Sequence, residues 1–547
     1  MKRIFFVLVI SSILLQSCVS DNNYNKDSRP KLVVGIVVDQ MRYDYLTRFK
    51  DRFKEDGFKR LLNDGYSLEN AHFSYIPTYT AVGHTSSYTG TTPDNHGIIG
   101  NNWYDKYQKK WIYCVDDSNY TSVGVKGKSG QKSPHRLVTT TLTDQLRMSQ
   151  NMKGKTIGIA IKDRSSILPA GHTANGAYWY EGKEANNWIS SSYYMDDLPQ
   201  WVKDFNNNNN ADEYLSEPWN TLYPIETYTR SRKDNYVYEG KFWGEIAPVF
   251  PHNLPTLREK NGDFDIIKST PFGNTITLDF AKAAIVGEDL GQGEFTDFLA
   301  LSFSSTDYVG HQYGPNSVEI EDTYLRLDQD IANFLSFLDT NVGKGNYTIF
   351  LTADHGVVEI PNYLKSLKIP ASYFDWDTFN SYLKKLSKIK YGTEDIIENF
   401  SNYQIFFNKE VLNKLKLNED EVADYFVQQC VLQEGIYKAV SAKTLQSSEF
   451  TEGILEKLQN GYNQKYSGDV MLVPTPASIG NRATGTTHGS GYSYDTHIPI
   501  IFYGNGIKAG SSSEYYRIKD IAPTMSILLK TEFPNGTTGK VVSEALK

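Results

Sequence analysis

Six side chains in this 547-residue sequence are of the types that hold divalent cations, and they come from four separate stretches. Asp39 closes the apolar run from Lys31, Asp307 and His311 stand four residues apart, Asp354 and His355 are neighbours, and His488 lies in Gly485-Thr486-Thr487-His488-Gly489. Three carboxylates and three imidazoles divide into two sets of three ligands, each with room for water or substrate, which is what a catalytic zinc pair requires. A hydroxyl joins them in Ile76-Pro77-Thr78-Tyr79-Thr80-Ala81-Val82-Gly83-His84, where Pro77 stops an extended segment and a helix runs on to about Tyr88. Thr80 at that helix start is placed to meet a phosphate.

Each piece has a plainer meaning when taken singly. Thr78 or Thr80 can be an N-cap. Asp307 and His311 can be bonded to each other at a helix start, Asp354-His355-Gly356 can be a strand end with a solvated imidazole, and Asp39 is an ordinary way to leave a strand. Their joint occurrence is what points to a site.

Residues this far apart in sequence meet only if a scaffold gathers them, and open parallel sheets do so at the carboxyl ends of their strands. Lys31–Asp39, Phe298–Phe303 continuing to Asp307, and Tyr347–Asp354 read as strands buried on both faces and ending on carboxylates. Tyr66–Ser74, Thr156–Ile161, Asp469–Pro474 and Ile498–Tyr503 read as further strands of the same sheet. Helical spacing covers Tyr43–Leu62, the run from Ile320 to Leu338, and Asp520–Lys530. The alternation predicts a doubly wound, mostly parallel α/β core flanked by helices, forming one catalytic domain over residues 30–547. Two insertions interrupt it, a loop-rich one at about 179–279 that could act as a lid and a mainly helical one at about 357–466.

The formal net charge of −8 argues against a general nucleic-acid binder, so any anionic ligand must be attracted locally. Lys2 and Arg3 precede the apolar run Ile4–Leu15, too short to span a bilayer and shaped like a secretory segment. It ends in Leu15-Gln16-Ser17-Cys18, similar to the lipobox of bacterial lipoproteins, so residues 1–18 are expected to be a signal with a lipid-modified Cys18 and 19–29 a tether. The protein is then exported, periplasmic or associated with the outer membrane, and touches the membrane only through that anchor. Cys114 and Cys430 are too few and too far apart for a Cys-based zinc site.

Val38-Asp39-Gln40-Met41-Arg42, Pro77–His84, His96–Asp105, Ile161-Lys162-Asp163-Arg164, Ser305–His311 and Ala353–Gly356 together resemble the alkaline phosphatase superfamily, above all its phosphate-irrepressible alkaline phosphatases. The resemblance touches every core segment from about residue 30 onward. It implies an alkaline phosphatase-like fold with two Zn²⁺ per chain, one held by Asp307, His311 and His488 and the other by Asp39, Asp354 and His355. It further implies that Thr80 is a metal-activated nucleophile forming a phospho-threonine intermediate, and that Asn101, Lys162 and Arg164 hold the phosphoryl oxygens. Lys162 and Arg164, at i and i+2, are expected to project from one side of an extended segment, with exposed charges flanking Asp163 as the alternative. His84 is assigned a structural role because the ligand sets are complete without it.

The activity implied is hydrolysis of small phosphate monoesters outside the cytoplasm by a monomer. A phosphodiesterase of the nucleotide pyrophosphatase type is the alternative within the superfamily. A non-catalytic surface lipoprotein using its aromatics as stacking platforms is the alternative outside it.

Overall fold

The computed structural model describes residues 29–547 apart from Asn481. The signal, the lipobox at Cys18 and all but the last residue of the tether lie outside the described residues.

A ten-stranded sheet carries the molecule. Its strands in chain order are β1 (Leu32–Val38), β2 (Tyr66–His72), β3 (Ser122–Val123), β4 (Thr156–Ala160), β5 (Gly176–Glu181), β6 (Asn187–Ser191), β7 (Asp297–Phe303), β8 (Tyr347–Thr352), β9 (His497–Gly504) and β10 (Gly510–Arg517). Across the sheet they run β10-β2-β9-β8-β1-β7-β4-β5-β6-β3. The five central neighbours β8, β1, β7, β4 and β5 are mutually parallel. β9 enters antiparallel between β8 and β2, and β6 antiparallel beside β5. All residues of β1, β7 and β8 are buried, as expected of strands covered on both faces by helices. The doubly wound, mostly parallel α/β fold is therefore the one expected.

Four helices position the site or brace it: α1 (Thr80–Thr89), α2 (Asp163–Ala170), α3 (Ser305–Tyr313) and α4 (Val318–Leu338). Every residue of α1 is buried, although six of the ten carry hydroxyls. Those groups are satisfied inward: Thr85 and Thr89 donate to carbonyls one turn back, and Ser86 meets His96 at 2.9 Å.

Several expectations are corrected. The continuous helix read over Tyr43–Leu62 is three short pieces, Asp44–Arg48, Lys50–Arg52 and Phe58–Asp64. The chain breaks at Gly57 because Asp328 of α4 packs where a Cβ would stand and accepts from the Lys54 and Phe58 amides. Asp469–Pro474 does not join the main sheet. Val470–Pro474 instead pairs antiparallel between Gln404–Phe407 and Ile436–Ser441, and Ile397–Ser401 completes a separate four-stranded sheet. That sheet and the helix Trp376–Tyr391 enclose their own apolar cluster, including Phe374, Phe379, Leu383, Phe407 and Phe426. The second inserted region is thus mixed rather than mainly helical. The first begins later than read, since β5 and β6 keep residues 176–191 in the main sheet. Cys114 and Cys430 are both buried free thiols.

Candidate active site

The carboxyl ends of β1, β7 and β8 are adjacent in the sheet, and each delivers its acid there. Asp39 follows Val38 directly, with its amide donating to the Phe303 carbonyl at 3.0 Å. Asp307 stands past the strand end rather than on it, in the first turn of α3, so that His311 falls one turn later on the same face and its Nε2 lies 3.1 Å from Asp307 Oδ1. Asp354 and His355 follow β8. His488 reaches in from the Gly-Thr loop, its Nδ1–H donating to the Thr78 carbonyl at 2.7 Å.

The six expected ligands converge. Donor atoms of Asp307, His311 and His488 lie within 4.8 Å of one another, and so do those of Asp39, Asp307 and His355. Asp354 stands beside this second set, with Oδ2 at 3.5 Å from His355 Nε2. The His355 and His488 rings stack with centroids 3.4 Å apart. Asp39 Oδ1 and Asp354 Oδ2 are buried without a hydrogen-bond partner, which is costly for a carboxylate and fits a place where a cation belongs.

Burial dominates the electrostatics. It pushes Asp39 well above the usual carboxylate range and Asp354 up to about 7, each helped by a neighbouring carboxylate. Burial acts the same way on Asp307, but His311 and Lys162 outweigh it and hold that carboxyl well below the range. Burial also depresses His355 and takes His488 down to about 3, so both imidazoles stay neutral, the form in which nitrogen binds a metal. The donor set, neutral imidazole plus carboxylate with unpaired oxygens, suits zinc.

Thr80 is the first residue of α1, and Tyr79 occupies the cap position with no side-chain cap bond. The expected capping role is therefore absent. The Thr80 hydroxyl instead lies 3.5 Å from His355 Nε2, inside the second ligand set. His84 has the structural role expected: its Nδ1–H donates to the Thr80 carbonyl at 2.9 Å, and its Nε2 meets Ser302 at 2.8 Å. α1 is pressed onto the end of β8, since a Cβ on Gly83 would collide with the Asp354 backbone carbonyl.

The polar trio also gathers. Asn101 Oδ1 accepts from the Ala81 amide at 2.8 Å, which leaves its NH₂ group to donate elsewhere. Lys162 is 4 % exposed, which excludes the exposed-charge alternative, and its Nζ lies 2.6 Å from Asp39 Oδ2 and 2.5 Å from Asp307 Oδ2. Those two carboxylates keep the ammonium charged against the effect of burial. The extended-segment geometry does not hold, because Lys162 is the extended N-cap and Arg164 already lies in the first turn of α2.

Four residues escaped the sequence reading. Gln40 adopts the left-handed backbone at φ 65°, where its amide donates to Asp354 Oδ1 at 3.1 Å and its Nε2 to Asp307 Oδ1 at 2.5 Å. It ties the two ligand-bearing segments together at some cost in strain. Tyr113 accepts from Arg164, Arg482 stands beside His311, and Tyr308 packs its ring 5.0 Å from Lys162 Nζ. Gln40 and Tyr308 had a signal in their places directly after Asp39 and Asp307; Tyr113 and Arg482 had none.

Over residues 33–492 the chain matches the type I phosphodiesterase / nucleotide pyrophosphatase family. It is 45 % identical to alkaline phosphatase PafA of Elizabethkingia meningoseptica across 100 % of this chain and 99 % of that one. It is 48 % identical to a Myroides odoratus protein named calcium-transporting ATPase, covering 95 % of this chain and 96 % of the relative. The crystal structure of wild-type PafA superposes with a TM-score of 0.91 at 46 % identity, covering 95 % of this chain and 99 % of that one.

Proposed function

The chain belongs to the type I phosphodiesterase / nucleotide pyrophosphatase family and, with its full-length relatives, to the alkaline phosphatases, and we propose that it is a zinc-dependent phosphomonoesterase acting through Thr80. The observation that carries this reading is the convergence of one hydroxyl, two ligand sets, a buried ammonium and a half-buried guanidinium. Thr80 Oγ attacks phosphorus, the Oγ–P bond forms as the ester P–O bond breaks, and the organic alcohol departs after taking a proton. Water then cleaves the phospho-threonine and inorganic phosphate leaves.

Zn²⁺ held by Asp307, His311 and His488, and by Asp39, Asp354 and His355, would supply Lewis acidity that makes the hydroxyl more acidic and offsets charge on the leaving oxygen. The remaining work belongs to the chain itself. His84 and Asn101 fix the first turn of α1 and so aim the hydroxyl. The Asn101 NH₂ group, Lys162 and the planar fork of Arg164 supply donors for the non-bridging oxygens. Two permanent cations suit the second negative charge that a monoester carries and a diester lacks. This supports the monoesterase over the diesterase alternative.

The name calcium-transporting ATPase on the Myroides odoratus relative is compatible with this reading, because the terminal phosphate of ATP has the charge and chemistry of a monoester. Among the described residues no helix is long and apolar enough to cross a membrane. Export and lipid attachment at Cys18 rest on the sequence of residues 1–18, and a monomer is the working assembly.

The deciding experiment is kcat/KM on matched mono- and diaryl phosphates with zinc quantified in the same sample. Higher kcat/KM on the diester would replace the monoesterase reading. Far fewer than two zinc per chain, with no activity after zinc addition, would favour a binding protein.

A further inference from the structure

The region following Ser191 lays a strap, residues 235–248, against the Asp307/His311/His488 set. Between strap and site is a cavity of about 940 Å³. Tyr308, His311 and Arg482 line it together with Phe242, Trp243 and Ile246 of the strap. Trp243 is 79 % and Ile246 96 % exposed, with Val237 of the same strap also open to solvent. Large apolar side chains left in water together mark a binding surface more often than chance.

The strap is built, not loose. The Gly240 amide donates to the Gln312 carbonyl at 2.7 Å, so close that a Cβ on Gly240 would press into that backbone. The Gly485 amide donates to the Tyr238 carbonyl at 2.9 Å, which binds the strap to the loop carrying His488. Asn261 grips the Trp243 backbone at both its N–H and its C=O, each at 3.0 Å. Trp243 is thus held in place with its indole unburied.

Direction then identifies the occupant. Thr80 Oγ lies by His355, in the Asp39 set. In-line displacement puts the leaving oxygen on the far side of phosphorus, which is the side of Asp307, His311 and His488. His311 is also a wall of the cavity, so the organic group of a bound monoester is delivered beneath the strap.

We propose that this cavity is a leaving-group subsite for aromatic alcohols, with Trp243 as its stacking face. The proposal rests on the phosphomonoesterase reading above. Stacking is worth enough to matter, since aromatic pairs contribute about 0.5–1.5 kcal/mol beyond area burial.

The test is the ratio of kcat/KM for 2-naphthyl phosphate to that for phenyl phosphate, whose leaving groups are of similar acidity. In the zinc-loaded wild type the naphthyl ester is preferred, and Trp243→Ala lowers the ratio about threefold to tenfold. Trp243→Phe restores part of it, a rescue that a merely structural role would not give. The exposure of Trp243 makes both variants foldable, which thermal melts check. An active wild type whose ratio is unmoved by Trp243→Ala overturns the subsite and leaves the phosphatase reading standing. Wild-type protein inactive on both esters overturns the phosphatase reading and the subsite with it.

Discussion

Arg164 is held by Tyr113: Nη1 donates to the phenol oxygen at 3.1 Å, and the phenol in turn donates to Asp163. Arg164 is half-buried, and its Nε is buried with no partner of its own. Its orientation therefore depends on one hydroxyl. Arg164→Ala is expected to cost monoester kcat/KM far more than diester kcat/KM, because its contact serves the extra charged oxygen. Tyr113→Phe keeps the charge and loosens its aim, so a smaller loss of about tenfold is expected, in the range of one hydrogen bond to a charged group. Equal losses on monoester and diester in Arg164→Ala would remove the guanidinium from that role.

Thr80→Ala deletes the nucleophile and leaves all six candidate ligands in place. Turnover should vanish while bound zinc, measured by elemental analysis, stays at the wild-type level. Near-normal activity would take Thr80 out of the mechanism.

Lys162 is the ammonium that two buried carboxylates share. Removing one partner of a buried pair leaves uncompensated charge, at a cost of about 3 kcal/mol or more. Lys162→Met should lower the melting temperature of metal-stripped protein by several degrees. Saturating zinc should narrow that gap, since the carboxylates then have other counter-charges. A gap of the same size with and without zinc would contradict the arrangement.

Away from the site, His252 is fully buried between Glu245, 2.7 Å from its Nδ1, and Glu319, 3.4 Å from its Nε2. Burial opposes the charged ring, but the two carboxylates win and push its pKa up to about 9. A raised histidine stabilises fully below its unfolded value of 6.5, and that contribution, about 3 kcal/mol at most, fades as pH rises through 9. Melting temperature should therefore fall between pH 6.5 and 9.5 more steeply in wild type than in His252→Gln. Parallel curves would show that the ring is neutral throughout.

The buried strands were plain in the sequence because a parallel sheet covered on both faces leaves unbroken runs such as Leu32–Val38. Their terminal acids marked the site for the same reason. Less visible was anything decided by packing between distant segments. Val470–Pro474 has the composition of a core strand, and only its partners place it in the smaller sheet. Lys162 and Arg164 read as alternating positions because nothing local reveals that α2 starts between them. Tyr113 comes from a short hairpin strand with no motif around it, and it matters only because the fold lays it on Arg164.

The contact of Gly83 with the Asp354 carbonyl makes one body of the helix that aims the hydroxyl and the strand end that supplies ligands. Any side chain at position 83 would act as a wedge between nucleophile and acid. The separation of the reacting groups is thus set when the chain folds and needs no adjustment when substrate arrives, so the enzyme's turnover should be indifferent to solvent viscosity up to the step at which product departs.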